Sequence, residues 1–312
     1  MTTLDGRSEL AAEGGALHAD PLDVAAQDTG TYHLPWWRRA GSLQITLGLL
    51  LTVPIVVLAI GAPWLAPHPP GGVDLIARLL PPAWEDGGSS EHILGTDNLG
   101  RDILSRVIYG ARISLIVGTV ATIASGLIGV AIGLVAGYVR GWFDSIVMGL
   151  AEVQQSFPFL ALAIVLGAVL GRGLGNILIV LTIGGWILFA RVVRGEAMAM
   201  AQRQFIDGAR ALGAGNLRVM LRHILPNVRS SIIIILTFNF AWFIIAEASL
   251  SFLGLGVDPD TPSWGQMLSD SRNYLSTAWW FPAFPGIALV SLVLGVNLLG
   301  DGLQDRWDPY LK

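Results

Sequence analysis

The chain has 312 residues, of which 53% are hydrophobic and only 13% are charged, and its mean hydropathy is +0.61. Soluble domains carry roughly 25% charged residues, so the composition excludes an ordinary soluble protein. The absence of cysteine excludes disulfides and thiolate chemistry, and the net charge of −4 gives no reason to expect a nucleic-acid partner.

Two further residue types limit the chemistry of the chain. The only lysine is Lys312, so the chain lacks the lysine of a phosphate-binding P-loop, and we predict no nucleotide site of its own. The histidines are scattered singly, without the spacing of a zinc hydrolase, so no metal site is predicted. They are His18, His33, His68, His92 and His223.

Residues 1–35 are rich in Ala, Gly and acidic side chains and show no apolar period, which predicts a disordered tail rather than a signal peptide. Six apolar segments follow, each long enough to cross a bilayer core of about 30 Å as a helix. They cover residues 43–65, 113–138, 146–170, 177–195, 230–252 and 283–302. The sequence therefore predicts an all-α integral membrane protein with six transmembrane helices.

The distribution of basic residues predicts the orientation. Six crossings place both termini on one side, and that side holds most of the 19 basic residues. By the positive-inside rule, both termini and the tail are predicted to be cytoplasmic. After the tail, we divide the chain into two parts. Residues 36–112 form the first transmembrane helix and an extracytoplasmic loop, and residues 113–312 form a five-helix core with the cytoplasmic loop 196–229.

Small residues and prolines mark packing inside these segments. Gly129, Gly133 and Gly137 are spaced four residues apart and place bare backbone on one helical face, which predicts a close helix–helix contact. Pro158 is compatible with a bend and with simple packing, and we favour packing.

Glu152 and Glu247 are ionisable residues in apolar segments and are candidate pore residues. For Glu247 the favoured interpretation is a helix cap or an arginine partner at the interface.

The predicted cytoplasmic loop 196–229 has a helical period. Phe205, Ala209 and Leu212 form one apolar stripe, and a second stripe follows the glycines at 213 and 215. We predict two short amphipathic helices joined at a glycine turn, the second ending at Pro226. They either lie in the lipid interface, which we favour from composition, or dock onto a cytosolic partner.

Four motifs carry a resemblance to a known family. In the inner loop, the triplet Asp207-Gly208-Ala209, then Gly213, then His223-Ile224-Leu225-Pro226, resembles the EAA loop of ABC importer permeases. Asp replaces the usual Glu, and Gly replaces the first Ala. The resemblance implies that this loop is a coupling element that fits a cleft on an ATPase subunit.

The second motif precedes the second apolar segment. From the residues alone, Gly95 and Gly100 predict turns, and Asp97 or Asp102 predicts a cap for a helix that begins near Ile103. The string is also similar to a motif of the dipeptide/oligopeptide/nickel group of ABC importer permeases. Its residues include His92, Gly95, Thr96, Asp97, Gly100, Arg101 and Asp102.

Two later matches, at residues 247–265 and 297–309, follow in the order of the family. The resemblance therefore extends from about residue 36 to the C-terminus, which is nearly nine tenths of the chain. The resemblance implies a type I importer fold and the second, C-type permease of a multi-pass importer in a bacterial or archaeal cytoplasmic membrane. It further implies a B-type permease homologue, two ATPase subunits that hold ATP and Mg²⁺, and an extracytoplasmic solute-binding protein. No cofactor is implied on this chain.

The branch implies short peptides as substrate, with nickel, glutathione-like peptides, opines or sugars as alternatives. Nickel is disfavoured because neither His68 nor His92 is expected to form a ligand cluster. An intramembrane transferase using Glu152, Glu247 or His223 is a remote alternative, since no paired carboxylate or histidine motif lies within one segment. A secondary transporter is disfavoured because the two halves show no matching interruptions.

Overall fold

The computed structural model describes residues 42–307. The predicted tail, both termini and the end of the fourth motif lie outside these residues. The described part is helical, with no strand and a single isolated bridge between Thr96 and Asp102. Five of its helices are long and apolar enough to cross a membrane, and a bent helix pair makes a sixth span if it is counted as one.

The helices follow one another along the chain as follows. Helix α1 is Ser42–Ile60, α2 is Ala62–Leu65, α3 is Ile103–Val139, α4 is Gly141–Gln155, α5 is Phe159–Leu170 and α6 is Leu174–Ala201. Helix α7 is Gln204–Ala211, α8 is Asn216–Arg218, α9 is Leu225–Phe252, α10 is Trp264–Ser271 and α11 is Trp280–Trp307. A π-helical turn, Val219–Ile224, joins α8 to α9, and a 3₁₀ turn, Arg272–Tyr274, follows α10.

Helix α3 is longer than the predicted second segment. The side chain of Asp102 accepts a hydrogen bond from the backbone N–H of Ser105 at 2.8 Å, so Asp102 caps α3 at the predicted start. The helix has 37 residues and spans roughly 55 Å at about 1.5 Å per residue. Because a bilayer core is about 30 Å thick, α3 extends beyond the apolar core.

The glycine triplet forms the predicted close contact, which joins α3 to α6. A Cβ atom built on Gly133 would lie 2.9 Å from the Cα of Ala190, and one on Gly137 would lie 2.8 Å from the Cβ of Ala197. Gly129 meets the backbone of Trp186 in the same way. The two helices therefore touch backbone to backbone, and the prediction of tight packing is confirmed.

The third predicted segment is not straight. Helices α4 and α5 meet at an angle of 89° across Ser156–Pro158, with Pro158 at the N-cap of α5. Proline has no N–H to continue the helical ladder, and it disfavours helical backbone at the residue before it, Phe157. The preference for simple packing at Pro158 was wrong, because the residue separates two helices.

Residues 61–102 and 253–279 lie together at one end of the bundle, and we call this part the cap. The indole of Trp264 donates to the carbonyl of Val107 at 2.9 Å, and that of Trp280 donates to the carbonyl of Thr96 at 3.2 Å. Two buried aromatic side chains thus hold the cap against α3 and α11. The inner loop lies at the opposite end, where Tyr138 of α3 meets Asn216.

Candidate functional site

The inner loop is held to the bundle by buried apolar side chains of α7 and of the π-helical turn, and by a hydrogen bond from Tyr138. Ile206 of α7 is fully buried among apolar residues of α3, α6, the π-helical turn and α9, including Leu134, Val193 and Ile224. The hydroxyl of Tyr138 donates to the side-chain oxygen of Asn216 at 2.9 Å. The loop is thereby packed onto the ends of the long helices.

The predicted apolar stripe of α7 faces away from the chain. Phe205 is 48% exposed and Leu212 is 91% exposed, whereas Ile206, which the sequence analysis did not select, is the buried anchor. Leu217 and Leu221 are also exposed. An exposed apolar surface of this kind is typical of a contact with lipid or with another protein.

The glycine turn and the triplet have the predicted positions on this surface. Gly213 has φ +84 and no atom within 4 Å of a built Cβ, so its backbone conformation, rather than space, favours glycine there. Asp207 and Gly208 lie on exposed turns of α7, and the Asp207 carboxylate lies 3.3 Å from Nη1 of Arg210. The guanidinium of Arg210 also lies over the ring of Tyr138 at 5.2 Å.

The second half of the loop differs from the prediction. Pro226 does not end a helix, because it lies in the first turn of α9, and residues 216–252 run on as one helical rod. His223 and Leu225 flank the junction, where the π-helical turn replaces an α-helical one. This wider turn accommodates Pro226, which offers no N–H to the carbonyl of Arg222 and would clash with it.

The cap motif is mostly buried and serves as a scaffold. Oδ1 of Asp97 accepts the N–H groups of Leu99 and Arg101 at 2.8 and 3.0 Å, and Oδ2 accepts Nε of Arg101 at 2.6 Å. Nε of the buried Arg106 lies 3.6 Å from the same carboxylate. Asp97 therefore organises a loop and two arginines, while Asp102 alone caps the helix.

The rest of the cap motif fixes the backbone. Oγ1 of Thr96 accepts the N–H of Leu80 at 2.8 Å. Gly95 and Gly100 have φ of +82 and +74, and a Cβ on Gly100 would lie 2.6 Å from the carbonyl carbon of Asp74. The predicted turns are present, and the motif shapes the cap.

A second acidic residue of the cap meets the same arginines. Asp270 of α10 lies 3.4 Å from Nη2 of Arg101. Burial raises the pKa of Asp270 above its ordinary value, and the positive charges of Arg101 and Arg106 act against that rise. The ion-pair network thus joins the loop before α3 to α10.

The two candidate pore residues have different surroundings. Glu152 is exposed on α4. Glu247 is 0% exposed, and its Oε1 accepts a hydrogen bond from the hydroxyl of Ser251 at 2.6 Å. Glu247 therefore lines no surface of this chain, and the favoured cap or arginine contact was wrong as well, because the residue lies inside α9 and pairs with a serine.

A groove lined in part by amide side chains lies at the bend between α4 and α5, and Glu152 lies about one helical turn before its lining residue Gln155. Two adjoining cavities of about 390 and 330 Å³ share Gln155, Gly184, Ile187 and Trp242. Nε2 of Gln154 donates to the carbonyl of Ile183 at 2.6 Å, which holds the bend against α6. We call this surface the polar groove, and its amide side chains are those of Gln154, Gln155 and Asn239.

The groove depends on a missing side chain at Gly184. A Cβ there would lie 2.8 Å from Cδ2 of Phe159, whose ring packs edge-on against Trp242 with centroids 4.5 Å apart. Gly184, Phe159 and Trp242 were not among the residues predicted from the sequence. The signal for them was the pair of glutamines beside Glu152 in a segment otherwise apolar enough to span a membrane.

The cap also brings together side chains that the sequence analysis had kept apart. Nδ1 of His92 lies 3.0 Å from Oδ1 of Asp102, and Nδ1 of His68 lies 3.9 Å from the same oxygen. The fold therefore places His68 and His92 beside one carboxylate, a grouping that was not predicted from the sequence. The two histidines are 24 positions apart in the chain, and only the fold of the cap makes them neighbours.

Comparison with known proteins agrees with the architecture. Residues 129–312 match the family described as binding-protein-dependent transport system inner membrane component. A di/tripeptide transport system permease protein, DppC, of Pseudomonas aeruginosa is 41% identical over 265 residues, which cover 85% of this chain and 88% of that protein. A putative peptide transport system permease protein of Brucella suis is also 41% identical, with the same coverage.

A glutathione transport system permease protein, GsiD, of Escherichia coli is 41% identical over 297 residues, or 95% of this chain and 96% of that protein. All three relatives carry the name of a permease of a transport system, which agrees with a multi-pass membrane subunit and not with an enzyme. The predicted resemblance to ABC importer permeases is confirmed. The chain belongs to the family of binding-protein-dependent transport system inner membrane components.

Proposed function

We propose that the chain is the C-type permease subunit of an ATP-driven importer of short peptides in a bacterial cytoplasmic membrane. It pairs with a B-type homologue and with two ATPase subunits that bind ATP and Mg²⁺, and it receives substrate from a solute-binding protein at the cap. The inner loop is cytoplasmic in this arrangement. The observation that carries the proposal is the exposed apolar and charged surface of α7 on a member of this family.

The inner loop is proposed as the docking element for an ATPase subunit. Phe205 and Leu212 offer apolar contact. Asp207 offers an exposed charge, which pairs with its neighbour Arg210 on the same helix. An amphipathic helix of this kind fits a groove on a partner. Because Ile206 anchors the same helix to the bundle, closure of the ATPases would move the ends of α3 and α6.

The alternative for this surface is the lipid interface, and co-purification separates the two. The whole importer is extracted with mild detergent from cells that carry the wild type or Asp207→Ala. The Asp207 side chain is exposed, so the variant is expected to insert and to keep its partner permease while losing the ATPase subunits. Retention of the ATPases at the wild-type ratio would favour the lipid interpretation.

The glycine turn gives a matched pair of variants for the same test. Gly213→Ala forces a side chain onto a positive φ, at a cost of roughly 1–2 kcal/mol, whereas Gly215 has an ordinary φ of −69 and equally open surroundings. We expect Gly213→Ala to lower peptide uptake with membrane insertion unchanged, and Gly215→Ala to leave uptake as it is. Full uptake by Gly213→Ala would refute the assignment of the turn.

The polar groove is proposed as the part of the translocation path contributed by this chain. An exposed carboxylate within a membrane span is costly unless it faces water or a partner, and Glu152 has such a position. The amide of Gln155 can both donate to and accept from peptide groups, and those of Gln154 and Asn239, which already donate to backbone carbonyls, keep a second N–H for this purpose. We expect Glu152→Gln to lower the uptake rate with the complex intact, and unchanged uptake would contradict this role.

Glutathione-like peptides are a second candidate substrate, because the glutathione permease relative is as identical to this chain as the di/tripeptide one. Direct uptake decides between them. Uptake of a labelled dipeptide and uptake of labelled glutathione by the importer with its binding protein are measured separately, each with an excess of the same unlabelled solute as the control for saturable transport. Saturable uptake of the dipeptide alone supports the peptide proposal, and saturable uptake of glutathione alone supports the second candidate.

A further inference from the structure

Three side chains from separate stretches of the cap converge on one point. His68 follows α2, His92 lies in the loop before α3, and Asp102 begins α3. One ligand atom from each of the three lies within 4.8 Å of the other two. Nothing in the proposed path or coupling loop uses this cluster.

The cluster is held in place by the surrounding backbone. Asp102 is buried, and while its Oδ1 faces both histidines, its Oδ2 accepts the N–H of Ser105 at 2.8 Å. The backbone N–H of His68 donates to the hydroxyl of Ser105 at 3.0 Å. The carboxylate and one histidine are therefore positioned by the same residue, and neither depends on a flexible chain end.

One ring nitrogen in the cluster lacks a hydrogen-bond partner. Nδ1 of His68 is buried and makes no hydrogen bond to the residues that the structure describes. It faces Oδ1 of Asp102 at 3.9 Å, too far for a hydrogen bond. A buried ring nitrogen without a hydrogen bond, close to a carboxylate and a second imidazole, is an arrangement that a metal ion satisfies.

The distances suit a small transition-metal ion. Zinc binds histidine nitrogen and carboxylate oxygen at about 2.0–2.2 Å, so tetrahedral ligands lie roughly 3.3 Å apart. The two histidine nitrogens lie 3.0 and 3.9 Å from Oδ1 of Asp102, on either side of that value. All three ligand atoms lie within 4.8 Å of one another, so binding of an ion would draw the two imidazoles closer together. Two imidazoles and one carboxylate suit Zn²⁺ and its neighbours, whereas Ca²⁺ and Mg²⁺ prefer ligands that are all oxygen.

We propose that His68, His92 and Asp102 form a binding site for one divalent transition-metal ion of the zinc type. The His68 side chain is 36% exposed and that of Asp102 is 0% exposed, so the ion enters from the solvent side of the cap and keeps one position for water. The bound ion ties the segment after α2 and the loop before α3 to the first turn of α3. It is a structural clip, separate from the transported substrate.

The test uses the full chain in nanodiscs, purified through a tag without histidine and treated with a chelator. Zn²⁺ is titrated by calorimetry near neutral pH, and Co²⁺ is added as a coloured probe of the ligand geometry. We expect one equivalent of Zn²⁺ per chain, an absorption spectrum of four-coordinate Co²⁺, and a rise in melting temperature with Zn²⁺. His68→Ala is expected to weaken Zn²⁺ binding at least about tenfold. Loss of a residue that only supports a ligand already costs about 10–100-fold in affinity, and loss of a ligand should cost no less.

Two further variants control for histidine number and for folding. His223→Ala removes one histidine at the opposite end of the bundle and is expected to bind Zn²⁺ as the wild type does. Asp102→Asn keeps a good helix cap but removes the charged ligand, so its binding should be weakened while its melting temperature without metal stays near that of the wild type. His68 is partly exposed, so its variant decides the question even if a variant at His92 fails to fold.

Three results would overturn the proposal. They are the absence of a stoichiometric Zn²⁺ equivalent, equal affinity of His68→Ala and the wild type, and loss of the site in His223→Ala. The first would mean that the three side chains form only the hydrogen-bonded pair of His92 and Asp102. The others would place the metal at another histidine of the chain.

Discussion

The contact between α3 and α6 leads to a quantitative prediction at Gly133. In the variant Gly133→Ala, the new Cβ would lie 2.9 Å from Cα and 3.0 Å from the carbonyl carbon of Ala190, and it would press on the carbonyl oxygen as well. These are backbone atoms of α6, so no side chain can rotate away, and the two helices must separate by several tenths of an ångström. Overpacking of this kind costs about 1–3 kcal/mol.

A matched control lies on the same helix. In Gly126→Ala the nearest atom would be Cδ2 of Leu236 at 3.3 Å, the end of a flexible side chain. Alanine is favoured over glycine within a helix by roughly 0.5–1 kcal/mol, so Gly126→Ala should be neutral or stabilising. The same gain offsets part of the cost at Gly133, which leaves a net loss of roughly 0–2.5 kcal/mol relative to the wild type and a difference of about 1–3 kcal/mol from Gly126→Ala.

The measurement is the free energy of unfolding in mixed micelles, with both variants and the wild type in the same lipid. We expect Gly133→Ala to be the least stable of the three proteins. In this variant α3 and α6 should separate before the rest of the bundle unfolds. Equal stabilities of Gly133→Ala and Gly126→Ala would refute the conclusion that backbone contact joins these helices.

Two other predictions concern the ends of the bundle. Ile206→Ala removes a fully buried side chain and should cost about 2–5 kcal/mol locally, seen as faster proteolysis of the inner loop, whereas the exposed Phe205→Ala should leave proteolysis unchanged. Gly100→Ala places a Cβ 2.6 Å from the carbonyl carbon of Asp74 at a positive φ, so it should abolish folding of the cap and lower the amount of protein in the membrane. Gly87→Ala has a similar φ of +87 but its nearest atom is 3.9 Å away, and its expression should fall only slightly; equal yields of the two variants would contradict the steric argument.

Features that depend on local sequence were predictable. Asp102 was one of two candidate caps, since a carboxylate before a helical period satisfies free N–H groups in any fold. The spacing of Gly129, Gly133 and Gly137 indicated one face of one helix before its partner was known. The membrane spans were predictable from the lengths of the apolar segments. The bilayer sets the minimum length of a spanning helix, and this minimum does not depend on tertiary structure.

Features that depend on distant contacts were not predictable. The helical period of α7 identified an apolar stripe at Phe205 and Leu212, but the residue that the bundle buries is Ile206, one position away. Glu247 looked like an interfacial residue from its place near a segment end, yet neighbouring helices cover it completely. Burial depends on which helices pack together. A single sequence shows the periodicity of the apolar residues, but it does not show which helix covers them.

The proline residues show the same limit. Pro158 separates two helices, whereas Pro226 lies within a continuous rod. Both lack an N–H, so the local defect is identical. The difference lies in what surrounds it: the π-helical turn before Pro226 is packed by Val219 and Ile224 against the bundle, while at Pro158 the chain turns into the polar groove.

The position of α6 explains how the inner loop can act on the polar groove. The same helix lines the groove at Gly184 and Ile187 and anchors Ile206 through Val193 and Ala197. At 1.5 Å per residue, these two pairs of positions are separated by about 9–20 Å along the helix. The glycine contact fixes α3 to α6, and the pairing of Arg194 with Asp144 fixes α4 to it at 2.6 Å. The three helices therefore form one body with the loop at one end and the groove along its side.

Under the proposed function, closure of an ATPase on α7 would shift this body as a unit. The glycine contact does not include the bend at Pro158, so the groove would change shape at this bend.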